Sequence, residues 1–170
     1  TLADGEVVRV GERALRAIYT PGHRFDHLSF LLEDAGALFA GDLVAGVGTV
    51  VISPPEGDLF DYMASLRRLL ALDLRQILPA HGPAIEAPSE LLEYYIAHRE
   101  QREEQVLAGL RAGATSILAL VAAIYADVDP ALHPVAARSV LAHLLKLERE
   151  GRVAREAMGT EEVWRLVTHL

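Results

Sequence analysis

The sequence contains no cysteine. Disulfides are therefore excluded, and so is any thiolate cage. A metal site in this chain has to be built from histidine and carboxylate, a donor set that suits zinc, manganese or iron. Aromatic residues are scarce at 6%, but 51% of the residues are hydrophobic, so an aliphatic core can form. No apolar run approaches the roughly 20 residues of a membrane-spanning helix. The N-terminal residues also lack the basic start and apolar stretch of a signal peptide. A cytoplasmic protein with no membrane partner is the expectation. The first residue is Thr1 rather than methionine, which suggests a trimmed or truncated product. An excess of positive charge is missing too: the net charge is −8. Residues 1–96 hold 7 arginines against 14 acidic residues, and residues 111–170 hold 7 basic against 7 acidic residues. Neither part is a strong electrostatic trap for a polyanion.

The chain is 170 residues long, enough for one ordinary domain or two small ones. Val7 to Val10, Ala14 to Tyr19, His27 to Leu32 and Ala37 to Ala40 read as strands, and Val47 to Ile52 as a further extended run. Asp58 reads as the N-cap of a helix on which Leu59, Phe60, Met63, Leu66, Leu69 and Leu70 recur at helical spacing. Gln76 to Leu78 reads as one more strand. Ser89 is expected to cap a long charged helix reaching about Ala112. Beyond it the texture changes. Ser116 to Ala126 and Val135 to Glu150 read as apolar-faced helices, the second stopped by Gly151. Arg152 to Glu156 and Glu162 to Val167 then read as a hairpin around Gly159. Helix, helix, hairpin is a winged-helix pattern. The domains are placed at residues 1–96 and 97–170.

Three segments share one design: an apolar strand, a turn, and a side chain competent to bind metal. They are Pro21-Gly22-His23, Ala40-Gly41-Asp42 and Pro79-Ala80-His81. A strand end is a rigid mount for a ligand, and glycine beside it permits close approach of the backbone. Imidazole and carboxylate suit a catalytic divalent ion, and a carboxylate can bridge two ions. Taken singly, each segment is more often loop punctuation than chemistry. It is their joint order and spacing that point to a metal site.

Thr20-Pro21-Gly22-His23-Arg24-Phe25-Asp26-His27-Leu28 resembles the TPGHxxxH segment of metallo-β-lactamase-fold hydrolases. Ala37-Leu38-Phe39-Ala40-Gly41-Asp42 is similar to their strand with the bridging aspartate, and Ile77-Leu78-Pro79-Ala80-His81-Gly82-Pro83 to their PxHG loop. Asp26, Gly48 to Val51, Asp61 to Leu66, Tyr95 to Arg99 and the winged C-terminal part resemble the branch called β-lactamase-like protein 2. The resemblance implies an α/β fold: the C-terminal half of an αββα sandwich followed by a winged-helix-like domain. It implies two divalent metal ions, with zinc the first choice and manganese or iron the alternatives. His23 would bind the first ion, His81 the second, and Asp42 would bridge both and be the catalytic residue. His27 is not a ligand by this carry-over and is expected to support the loop. The implied substrates are single-stranded RNA or a thioester or ester like that of hydroxyacylglutathione.

The family's HxHxDH motif, which supplies further ligands to both metals, is absent. Each metal is left with one histidine and a shared aspartate, fewer than the three protein ligands of a catalytic zinc site. The N-terminal half of the fold is therefore an expected partner, in the same longer protein or in a separate chain, and this fragment alone is expected to be inactive. The alternative is a winged-helix module that binds nucleic acid or protein, carried on an inactive hydrolase remnant. A weaker third reading is an oligomerisation piece that makes a homo-oligomer. For nucleic acid, Arg138, Lys146, Arg149, Arg152 and Arg155 are the candidate basic face. The loop Gly46 to Gly57 is either the rim of the substrate cleft or a plain surface loop. His98, His133, His143 and His169 are expected to be structural, and Trp164 a core anchor.

Overall fold

A computed structural model describes residues 2–159 and 161–167. The chain divides into two compact units. Residues up to Val51 and Pro55–Ala97 form unit 1, and Ile52–Pro54 with the residues from His98 onward form unit 2.

Unit 1 holds a five-stranded sheet of β1 (Val7–Val10), β2 (Arg13–Tyr19), β3 (Leu28–Leu32), β4 (Ala37–Gly41) and β5 (Gln76–Pro79), in that order across the sheet. Strands β1 to β4 are antiparallel neighbours, and β5 joins β4 in parallel through a crossover that contains helix α1 (Leu59–Leu70). Asp58 caps α1 by accepting from the Asp61 amide, as its place before the apolar periodicity suggested. The pairing register separates the two faces of the sheet. Ile18, Ser29, Leu31, Leu38, Ala40 and Ile77 lie on one face and are all buried. With Leu59, Tyr62, Met63, Leu66 and Leu69 of α1 they make the core of the unit. On the other face, Leu15, Leu32, Phe30, Phe39 and Leu78 align across β2 to β5. This second face is just as apolar but remains partly open, and Phe39 is 42% exposed.

Helix α2 (Pro88–Arg111) begins one residue before the expected cap Ser89, with proline at its first position, where the missing N–H costs nothing. The extended run expected at Val47 to Ile52 is not a strand, because among the described residues no strand pairs with it.

Unit 2 contains the second half of α2, α3 (Ile117–Ile124), α4 (His133–Arg149), and the hairpin of β6 (Val153–Met158) and β7 (Glu161–Leu166). Ser116 caps α3 by accepting from the Ala119 amide. A short 3₁₀ turn at Pro130–Leu132 leads into α4, so the helix expected from Val135 starts earlier, at His133. The core gathers Val106, Leu107 and Leu110 of α2, Leu120 and Val121 of α3, Val140, Leu144 and Leu147 of α4, and Val153 and Trp164 of the hairpin. Trp164 has no exposed surface, as a core anchor should. His169 lies outside the described residues. Among the described residues, no helix is long and apolar enough to cross a membrane.

Candidate metal centre

The three metal-competent segments end on the same edge of the unit 1 sheet. His23, Asp42 and His81 line one recess of about 300 Å³, whose other walls are Val44, Ala45 and Val50. His81 Nε2 is 3.3 Å from Asp42 Oδ1. His23 Nδ1 lies 3.2 Å from the Val51 carbonyl oxygen. A carbonyl can only accept, so this contact places the proton on Nδ1 and leaves Nε2 with its lone pair free. That is the tautomer a metal ligand needs, held by the outer hydrogen bond that metal-binding histidines usually make.

The backbone around each residue explains why it sits there. Gly22 takes φ +137°, and a Cβ there would fall 2.3 Å from the Tyr62 backbone. Only glycine lets α1 come this close to the His23 loop. Ser65 of α1 donates to the Pro21 carbonyl, and the Asp58 amide donates to the Gly22 carbonyl. At the second segment, Gly41 ends β4 with φ +53°, and its carbonyl accepts the Ala80 amide at 2.9 Å. The residues just before Asp42 and His81 are thus bonded to each other. The His81 carbonyl in turn accepts from the Gly46 amide.

Two buried tyrosines hold the loop that follows Asp42, a role the sequence reading missed. Tyr62 of α1 donates to the Leu43 carbonyl at 2.8 Å. Tyr95 of α2 donates to the Gly48 carbonyl at 2.9 Å and accepts from the Ala45 amide at 3.1 Å. The clue available beforehand was a tyrosine on an otherwise apolar helix face, since a buried hydroxyl needs a partner. Val51 was also missed as the support of His23, because a backbone carbonyl leaves no mark in a sequence. The loop from Gly46 is therefore part of the site at Val50 and Val51.

His27 lies beside these residues. Its Nδ1 is 2.9 Å from Thr20 Oγ1, and Thr20 Oγ1 is 2.9 Å from Ser29 Oγ. Burial and the neighbouring His23 hold its pKa below the usual histidine value, against the pull of Asp42. It is kept neutral.

The donor set fits divalent metal: two imidazoles and a carboxylate, with the Asp42 side chain 45% and the His81 side chain 81% exposed. It is also incomplete. Among the described residues, no three histidine, aspartate or glutamate side chains are grouped closely enough to enclose an ion by themselves.

Three of the five residues of the candidate basic face in unit 2 are held in ion pairs. Lys146 is 8% exposed and is paired with Glu103 and Glu150. Arg152 pairs with Glu103, and Arg155 with Glu148 and Glu162 while lying over the Trp164 ring. Charges neutralised in this way are poor phosphate ligands.

Residues 2–81 match the model of the metallo-β-lactamase superfamily, and residues 116–164 match the β-lactamase associated winged helix domain. A β-lactamase-like protein 2 homolog from Drosophila melanogaster is 39% identical over 88% of this chain, which corresponds to 51% of that protein. The Caenorhabditis elegans homolog is 37% identical, again over 88% of this chain and 50% of its own length. The chain thus spans about half the length of these curated relatives. A metallo-β-lactamase family protein from Thermus thermophilus superposes with a TM-score of 0.82 at 29% identity, covering 98% of this chain and 54% of that one. This chain belongs to the metallo-β-lactamase superfamily and carries the winged-helix domain associated with it.

Proposed function

We propose that this chain is the C-terminal part of a metal-dependent hydrolase with a dinuclear centre, in which His23 holds one ion, His81 the other, and Asp42 bridges both. The supporting observation is the convergence of these three side chains on one recess, with the His23 lone pair freed by the Val51 carbonyl. Divalent ions bound there, most suitably zinc, would lower the pKa of water and polarise the bond to be broken. The chain's own residues supply placement. Asp42 offers two oxygens at a strand end, the Gly41–Ala80 hydrogen bond fixes its distance from His81, and Tyr62 and Tyr95 keep the following loop from closing the recess.

The remaining ligands come from a partner: the N-terminal half of the fold, with its HxHxDH motif. The open apolar sheet face supports this reading. Leu15, Phe30, Leu32, Phe39 and Leu78 form a surface of the kind a second sheet covers.

For substrate we favour a carboxylic ester or thioester. Val44, Ala45 and Val50 give the recess an apolar wall suited to an acyl group. Single-stranded RNA is the second reading; its support is the winged-helix domain, and the ion pairs of Lys146, Arg152 and Arg155 weigh against it. The test is metal analysis of the full-length protein, with a parallel screen of thioesters, lactams and single-stranded RNA. Asp42→Ala is expected to abolish hydrolysis and reduce bound metal. Full activity of the wild type without metal would overturn the proposal. A full-length sequence without HxHxDH would turn it toward a binding module.

A further inference from the structure

His27 is placed among the proposed ligand segments without being counted as a ligand; it touches two of them directly and is linked to the third through Gly41. Its Nδ1 meets Thr20 Oγ1, and its backbone carbonyl accepts the Thr20 amide at 3.0 Å. Thr20 opens the Pro21-Gly22-His23 turn. Behind Thr20 lies Ser29, and both are fully buried. The other end of the ring covers Gly41. A Cβ on Gly41 would stand 2.7 Å from His27 Nε2, so the ring packs directly on the residue before Asp42. Gly41 passes the contact on, since its carbonyl holds the Ala80 amide, one residue before His81.

We infer that His27 is a positioning residue for the metal centre: anchored by the buried Ser29–Thr20 hydroxyl pair, its ring sets the spacing of the three strand ends that carry His23, Asp42 and His81. The inference rests on the proposed metal centre. The hydroxyl pair has a physical reason to exist. Two polar groups buried inside a strand-to-loop junction are costly unless bonded, and here they bond to each other and fix the imidazole. With Nδ1 so engaged, the ring cannot rotate away from Gly41 without leaving Thr20 Oγ1 short of a partner. Glycine at 41 is required for the same reason, because any side chain there would displace the ring.

The experiment uses the full-length protein and zinc. The dissociation constant of Zn²⁺ is measured by competition with a chromogenic chelator, and the melting temperature of the metal-free form is measured beside it. His27→Ala is expected to weaken zinc binding roughly 10–100-fold, the usual loss when an outer support of a metal ligand is removed. Thr20→Val, which keeps the shape and removes the hydroxyl, is expected to weaken it about fivefold, the worth of one hydrogen bond. In the His27→Ala background, Thr20→Val should have no further effect on zinc. His27→Asn, whose amide can still reach Thr20, should recover part of the affinity. A purely structural role would lower the melting temperature and leave the zinc constant of the folded protein unchanged, and that result overturns the inference. If His27→Ala does not fold, wild-type zinc affinity in Thr20→Val overturns it equally. A wild type that binds no divalent metal would remove the metal centre itself and this role with it. Wild-type binding together with indifferent variants would remove only the role of His27.

Discussion

In unit 1, Asp42 is 45% and His81 81% exposed at the side chain, and both stand around an open recess with His23. In unit 2, Lys146 and Glu103 are buried against each other, Arg152 closes on the same carboxylate, and His143 has no exposure at all. The same residue types serve opposite ends. Polar groups whose bonding capacity is left open toward solvent at rigid strand ends are poised for an external ligand. Groups consumed in internal pairs define a shape. The contrast agrees with the proposed metal centre in unit 1 and makes the buried Lys146–Glu103 cluster of unit 2 an architectural element.

The largest effect expected from this contrast is at Glu103. Its carboxylate answers two cations, one of them almost fully buried. Breaking a buried pair by removing one partner strands the other charge and costs about 3–5 kcal/mol. Glu103→Ala should therefore destabilise unit 2 by about that much, followed in denaturant through the fluorescence of Trp164, the chain's single tryptophan. A loss within the range of a surface ion pair, below about 1 kcal/mol, would show that the Lys146 cluster is not the architectural element described above.

His143 gives the next effect. Neither of its ring nitrogens has a hydrogen-bond partner among the described residues. Burial, then Arg99, Lys146, Arg102 and His98, push its pKa down from 6.5 to about 3. On acidification the unfolded chain takes up the proton first, so stability rises with pH across that interval. It is retained above about 6.5, falls as the pH drops below it, and stops falling from this source near 3. Between pH 6.5 and 5 the loss is about 2 kcal/mol. His143→Leu should flatten that part of the stability profile of unit 2 and leave zinc binding in the full-length protein as it was. An unchanged acid limb in the variant would assign the pH dependence elsewhere.

What could be read in advance divides along the same line. The strands, the Asp58 cap and the three turns that carry His23, Asp42 and His81 were legible because period, capping chemistry and glycine placement are local signals. Val47 to Ile52 was misread for a physical reason. Its β-branched residues suit a strand, but its carbonyls are taken by side chains, Gly48 by Tyr95 and Val51 by His23. The ion pairing within the candidate basic face was not legible because counting basic residues does not reveal their partners: Glu103 lies 43 positions from Lys146 and 49 from Arg152. His143 was placed on its helix correctly, but nothing local marks a histidine facing a core lined by cations. Likewise, the convergence of residues 23, 42 and 81 was legible as a pattern, whereas the hydroxyl pair behind His27 emerges only once β2 and β3 are set side by side.

The smallest effects come from the two helix caps, and they sharpen the contrast because they are chemically alike. Asp58 accepts from the Asp61 amide in unit 1, and Ser116 accepts from the Ala119 amide in unit 2. Replacing either with alanine should cost about 1 kcal/mol. The costs should be equal but their consequences should not. The Asp58 amide also bonds the Gly22 carbonyl, next to His23, and Tyr62 and Ser65 of the helix it caps hold the Leu43 and Pro21 carbonyls. Fraying the first turn of α1 therefore loosens two of the three proposed ligand segments. Asp58→Ala should weaken zinc binding measurably as well as lower the melting temperature, while Ser116→Ala should lower stability alone. If the two variants moved zinc affinity equally, the separation of a ligand-holding unit from an architectural one would fail.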